Sequence, residues 1–243
     1  MLTAELDAWQ ASKRTANFWW RDDDLEKPGP CLDRLLEMRG ETPIALAVIP
    51  STAAKSLTDR LRRCSSVDVI QHGFAHVNHA PTDKKKCELG DDRAPETVLR
   101  EIIAGRKILS TLFTTQFVPV LAPPWNRISP SIQNQLSKAG LVALSAYGEE
   151  DGEPPSVINT HLDPVDWQNG KRFIGVERAL GQFTEALRMR RRNAGHARPI
   201  GLLTHHRVMD EECWTFVEQF VKVLHTHPGV ILNSIRDFCP DEQ

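Results

Sequence analysis

Short β-rich apolar runs separated by amphipathic stretches recur along the whole chain, and this alternation narrows the possible folds more than any other feature. Candidate strands are Asn17–Arg21, Pro43–Ile49, Val67–Gln71, Phe117–Leu121, Leu141–Ala146, Val157–His161, Ile200–Thr204 and Val230–Asn233. They are short and mostly apolar at successive positions, as expected for parallel strands covered on both faces. Between them lie helical patterns. From Pro95 onward, Val98, Leu99, Ile102, Ile103, Leu109, Leu112 and Phe113 repeat at helical spacing. A second helix is expected over Glu177–Arg191, with Leu180, Phe183 and Leu187 inward, and a third over Asp210–His225. Strand–helix alternation implies a parallel sheet with crossover helices, either a barrel or an open sheet.

The 243 residues can bury one substantial core, and no internal repeat or low-complexity linker divides them. The polar stretches Asp83–Ala94 and Gly148–Ser156 read as loops, so residues 1–243 are expected to form a single domain. Thirty basic residues against 32 acidic ones leave a formal charge of −2, with no global excess pointing to nucleic acid or an anionic membrane. The dense run Arg188, Arg190, Arg191 and Arg192 reads as a solvated helix end. No apolar run approaches the roughly 20 residues needed to span a bilayer, and the first residues lack the pattern of a secretory signal. Five dispersed cysteines without a CxxC pair suit reduced thiols, so a cytoplasmic location is expected.

Chemistry collects just after the candidate strands. The first ends in Arg21-Asp22-Asp23-Asp24, and the third in His72-Gly73-Phe74-Ala75-His76 with His79 beyond. The fourth runs into Ala122-Pro123-Pro124-Trp125-Asn126-Arg127. The sixth reaches Asp163-Pro164-Val165-Asp166-Trp167, and the seventh ends in His205-His206. In a parallel barrel the strand C-termini open on one face, where active sites are built. Each piece also has a structural reading: an aspartate N-cap, two unrelated histidines, a rigid turn packing an indole. The spacing of His72 and His76 on a helical turn would put both imidazoles within reach of one ion. Together, at one mouth, the pieces favour catalysis.

Read in order, these motifs resemble the polysaccharide deacetylases, the NodB-homology or carbohydrate esterase family 4 group, over roughly residues 17–206. The resemblance implies an α/β fold, a distorted (β/α)7–8 barrel. It implies Asp23 as catalytic base and Asp24 as metal ligand, with the shifted pair Asp22 and Asp23 left open. His72 and His76 would complete the protein ligands of one divalent ion, zinc by default. The third motif usually carries an arginine that holds the base; here Ala122-Pro123-Pro124-Trp125 keeps the proline and aromatic but lacks it, and Arg21 or Arg127 could supply the charge. The fourth motif resembles Asp163 to Trp167. The fifth, Leu203-Thr204-His205, nominates His205 as general acid, with His206 as the alternative and Asp163 or Asp166 behind it. Pro124, Trp125, Asn126, Asp163 and Trp167 would meet substrate. The implied activity is removal of acetyl groups from an N- or O-acetylated sugar or glycan. Two alternatives stand: hydrolysis of a small cytoplasmic amide on the same barrel, and a catalytically silent binding module. Lys84, Lys85, Lys86, Glu88 and Arg93 form either a lid for an anionic substrate or a solvated loop.

Overall fold

The computed structural model describes residues 1–149, 156–192 and 198–240. The predicted loop 148–156 therefore falls largely outside the described residues. The chain begins with α1 (Leu2–Ala11), then β1 (Ala16–Leu25), α2 (Pro30–Met38), β2 (Ile44–Val48), α3 (Lys55–Leu61), β3 (Val67–His72), α4 (Pro95–Leu112) and β4 (Phe117–Ala122). It continues through α5 (Pro130–Gln133), β5 (Ala143–Leu144), β6 (Ser156–Val157), a hairpin of β7 (Val165–Asp166) and β8 (Arg172–Phe173), α6 (Val176–Arg192), β9 (Ile200–Thr204), α7 (Glu211–Thr226) and β10 (Val230–Leu232). Six of the eight expected strands and the three expected helices are present; Leu141–Ala146 shrinks to β5, Val157–His161 overlaps β6 only at Val157, and the antiparallel hairpin is an addition.

Eight strands among the described residues make one parallel sheet in the order β10-β1-β2-β3-β4-β5-β6, with β9 also paired to β1. The circuit closes through residues beyond β6. Thr160 bridges Tyr147 after β5, and Leu162 bridges Leu202 in β9. The result is a distorted barrel, continuous on the β1 side and joined by isolated bridges on the other.

Alternation along the strands sorts the core into two layers. Phe18, Trp20, Leu46, Val48 and Val69 face outward beneath the helices, in a cluster with Phe183, Val217 and Phe220. Trp19, Ala45, Ala47, Ile70, Val120, Ala122 and Ala143 form a separate cluster inside the barrel. Small alanines there leave room for the single indole of Trp19. The same alternation points Arg21 and Asp23 inward with Trp19, whereas Asp22 follows Trp20 to the outer layer.

β1 runs four residues past its predicted end, because its charged residues are paired instead of solvated. Against β2, Asp22 pairs with Leu46 and Leu25 with Val48, so three steps on β1 match two on its partner. This bulge, with Asp24 at φ 65°, breaks the alternation. It is the local event that allows Asp23 and Asp24, neighbours in sequence, to serve one cavity.

Candidate active site

Asp24, His72 and His76 converge. Asp24 Oδ1 lies 3.1 Å from His72 Nε2 and 3.1 Å from His76 Nε2. One ligand atom from each residue falls within 4.8 Å of the others. His72 Nδ1 lies 3.0 Å from the Ala122 carbonyl, to which it donates, so Nε2 turns its lone pair to the cluster. Burial alone would raise the Asp24 carboxyl, but hydrogen bonds and charge from His72 and His76 hold it well below the usual range. Burial likewise opposes charge on His72, yet the Asp23 and Asp24 carboxylates raise its affinity for a proton. The cluster gathers one carboxylate and two imidazoles, a donor set that could hold a metal ion.

The expected helical turn from His72 to His76 does not form. His72 is the last residue of β3, in register with Ala122, and the following residues bend without helical hydrogen bonding. Glu88, buried at 1% exposure, accepts hydrogen bonds from the amides of Phe74 (3.1 Å) and Ala75 (2.7 Å). Gly73 makes the bend possible: its φ is +56°, and a Cβ there would sit 1.9 Å from Glu88 Oε2 and 2.6 Å from Pro124 Cγ. His76, at φ 57°, then swings back over Asp24, its ring 4.4 Å from that of Trp125. Asp24, His76, Trp125 and Asn126 all have positive φ, a concentration of backbone strain typical of functional sites.

Arg21, fully buried, grips Asp23. Its Nε lies 2.9 Å from Asp23 Oδ1, and Nη2 donates to Oδ2 at 3.0 Å. Nη1 donates to the Ser145 carbonyl (2.6 Å) and hydroxyl (2.7 Å), and Nη2 to Asn126 Oδ1 (2.7 Å). The positive charge missing from the third motif thus comes from β1 itself, two residues from the carboxylate it holds. Arg127 does not share that task; its Nη1 donates to the Lys86 carbonyl.

His205 stands opposite, with Nε2 3.9 Å from Asp23 Oδ2 and Nδ1 4.0 Å from Asp163 Oδ2. Asp163 is positioned by Trp167 Nε1 (2.7 Å) and the Val165 amide (3.0 Å). Burial raises its carboxyl, against the lowering effects of His205 and Trp167. Trp167 packs edge-on to His205 at 4.6 Å. Asp166, the other expected partner of His205, instead pairs with Asn169 of the β7–β8 turn (2.8 Å) and with Arg178 of α6 (3.6 Å). Nor does His206 face the cavity. Its ring nitrogen and amide bond the buried Asp22, which also accepts from Thr204 Oγ1 at 2.6 Å. Asp22 and His206 therefore tie β9 to β1, which argues against both the shifted aspartate pair and the alternative acid.

The site opens on a cavity of about 860 Å³ at the strand C-termini, bordered by Asp23, Asp24, His72, His76 and His205 and walled by Trp125, Asn126, Asp163 and Trp167. Pro124, an expected substrate contact, is buried beneath it against Gly73, because the tight 3₁₀ turn at 124–126 turns its ring into the bend. Glu88 is likewise no part of a lid. Two contributors went unread in the sequence. Tyr147, the single tyrosine, lines the cavity just after β5, and its position after a strand could have flagged it. The clamp by Glu88 was signalled only by the glycine beside His72.

No family model matches the sequence, and no curated protein matches it. Solved structures do share its fold. It is similar to a protein of Mycobacterium smegmatis assigned as a polysaccharide deacetylase, at 13% identity over 92% of this chain and 88% of that one, with TM-score 0.68. It is also similar to a carbohydrate esterase family 4 pseudoenzyme of Bacillus anthracis, at 9% identity over 95% and 67% of the two chains, with TM-score 0.60. A third is a family 4 acetyl xylan esterase of Clostridium thermocellum in complex with a cobalt ion, at 14% identity over 91% and 89%, with TM-score 0.53. The chain has the distorted barrel fold of the polysaccharide deacetylases.

Proposed function

We propose that this chain is a metal-dependent deacetylase that hydrolyses the acetyl amide or ester of an N- or O-acetylated sugar or glycan. One observation carries the reading: an Asp-His-His donor cluster, an arginine-held carboxylate and a carboxylate-backed histidine share one cavity. A binding site needs no such division of labour. The fold shared with family 4 esterases supports it, as does the cobalt bound by the Clostridium thermocellum enzyme.

The donor set fits a divalent ion of the catalytic kind. Two imidazoles and one carboxylate leave positions open, as in catalytic zinc sites, and zinc is the expected metal. Bound there, the ion would polarise an acyl carbonyl and make water more acidic. The remaining work falls to the protein. Asp23, oriented by Arg21, takes a proton from the attacking water. The hydroxyl adds to the acyl carbon, and the C–N or C–O bond breaks. His205, with Asp163 beside its Nδ1, gives a proton to the departing nitrogen or oxygen. Acetate and a free amine or alcohol result, and transfer of the proton from Asp23 to His205 across the short gap restores both groups. The indoles of Trp125 and Trp167 offer flat apolar surface to a sugar ring or an acetyl methyl.

Loss of the third-motif arginine favoured a silent binding barrel; the grip of Arg21 on Asp23 removes that support. The five cysteines are all free thiols, which suits a reducing compartment. On that ground we place the activity in the cytoplasm, on a small acetylated sugar in preference to a wall polymer. The test is acetate release from acetylated saccharides and small amides by chelated protein and by protein reloaded with zinc or cobalt. Reloaded protein should release acetate from the saccharides, and Asp23→Asn should bind metal yet lose turnover. Full activity after chelation, or in Asp23→Asn, would overturn the assignment.

A further inference from the structure

The charge around the cavity mouth is unevenly matched. Every acidic group lining it already has a partner: Asp23 has Arg21, Asp24 has the two histidines, Asp163 has Trp167, and Asp166 has Asn169 and Arg178. Three basic groups are left over. Lys86, Lys171 and Arg127 line the same cavity and form no ion pair among the described residues.

The two lysines are placed in parallel ways. Lys86 Nζ lies 6.0 Å from the Trp125 ring centre, and Trp125 packs on His76. Lys171 Nζ lies 5.7 Å from the Trp167 ring centre, and Trp167 packs on His205. On each side of the reacting groups the order is histidine, indole, ammonium. A sugar ring resting on either indole would carry its outer substituents to an ammonium group. Cation–π contact holds each ammonium in place while leaving its protons free for an acceptor.

We propose that the substrate is an acetylated sugar bearing an anionic substituent, a phosphate or a carboxylate, received by Lys86 and Lys171 at the mouth of the cavity. The proposal rests on the deacetylase reading and adds the substrate class to it. The neutral sugar would gain only the stacking surface. The anionic one gains charge-assisted hydrogen bonds as well.

The test compares N-acetylglucosamine with its 6-phosphate and with N-acetylmuramic acid, the phosphate and carboxylate arms, on zinc-loaded protein. Variants are Lys86→Met, Lys171→Met and the double, since methionine keeps the stem packed on the indole. An anionic substrate should exceed the neutral one in kcat/KM by about tenfold or more, in line with one or two charge-assisted contacts. Raising ionic strength from about 0.01 to about 1 M cuts the screening length from about 30 to about 3 Å and should narrow that ratio. The double variant should bring the ratio toward one. Equal turnover of neutral and anionic substrates, or a ratio untouched by the double substitution, overturns this inference and leaves the deacetylase reading standing. If none of the three is hydrolysed, the deacetylase reading fails for these sugars. Calorimetric binding of glucosamine and glucosamine 6-phosphate then decides this inference alone: tighter phosphate binding that is lost in the double variant supports it, and equal binding ends it.

Discussion

Replacing Arg21 with methionine removes the guanidinium that holds Asp23 while keeping most of the side-chain volume. Arg21 is fully buried, and Asp23 is exposed by only 2%. The substitution therefore strands a carboxylate in a buried site and leaves the Ser145 carbonyl and hydroxyl and Asn126 Oδ1 without their donor. Breaking a buried pair from one side typically costs about 3–5 kcal/mol, because the remaining charge is uncompensated. Against a total stability of about 5–15 kcal/mol the variant should still fold in the cold. With a urea dependence of about 2–3 kcal/mol per molar, a loss of about 4 kcal/mol moves the unfolding midpoint down by about 1.5–2 M. Acetate release should fall with it, as the carboxylate loses its orientation. Adding Asp23→Asn to Arg21→Met removes the stranded charge, so the double variant should be no less stable than Arg21→Met alone. An Arg21→Met protein within about 1 kcal/mol of wild type with normal turnover would refute the idea that this pair replaces the third-motif arginine.

Three further outcomes follow from the same geometry. His72→Ala or Asp24→Ala should abolish stoichiometric metal binding, measured by metal analysis after dialysis; retention of one tightly bound ion would show that the cluster is not the site. Gly73→Ala forces a Cβ against Glu88 and Pro124 at φ +56°. It should lower stability by about 2–4 kcal/mol, combining left-handed strain with overpacking, and should weaken metal binding by displacing His76. His161, buried and beside Arg190, has its pKa pushed down to about 3. Its neutral form belongs to the folded state, so its contribution is complete above about pH 6.5 and is lost as pH falls toward 3. Between pH 7 and pH 5 this amounts to about 2 kcal/mol of lost stability. Urea titrations at both values should show a smaller loss in His161→Gln, and an unchanged loss would refute it.

The parallel sheet was legible because its strands are covered on both faces, as runs such as Ile44–Val48 and Ile200–Thr204 show, whereas its closure into a barrel was expected only from the family resemblance. The addresses of the chemistry were legible too, since parallel strands deliver their C-termini to one mouth. Position alone brought the aspartates 22–24, the pair His72 and His76, and both His205 and His206 to that mouth, and the family resemblance singled out Asp24 and His205 among them. Their geometry could not be read that way. Whether Asp22 or Asp24 shares the cavity with Asp23 depends on a bulge against β2, and a strand's own residues do not announce where its partner runs short. The bend after His72 is held by Glu88, fourteen residues beyond Phe74, which accepts from the amides of Phe74 and Ala75. Arg21 could be listed as a substitute for the absent arginine, but only packing beside Ser145 and Asn126 decided between it and Arg127. Local pattern sets which residues lie at the mouth, because periodicity is a property of a single strand. Which of them touch is a matter of long-range contacts, and those exist only once the ring of strands has closed.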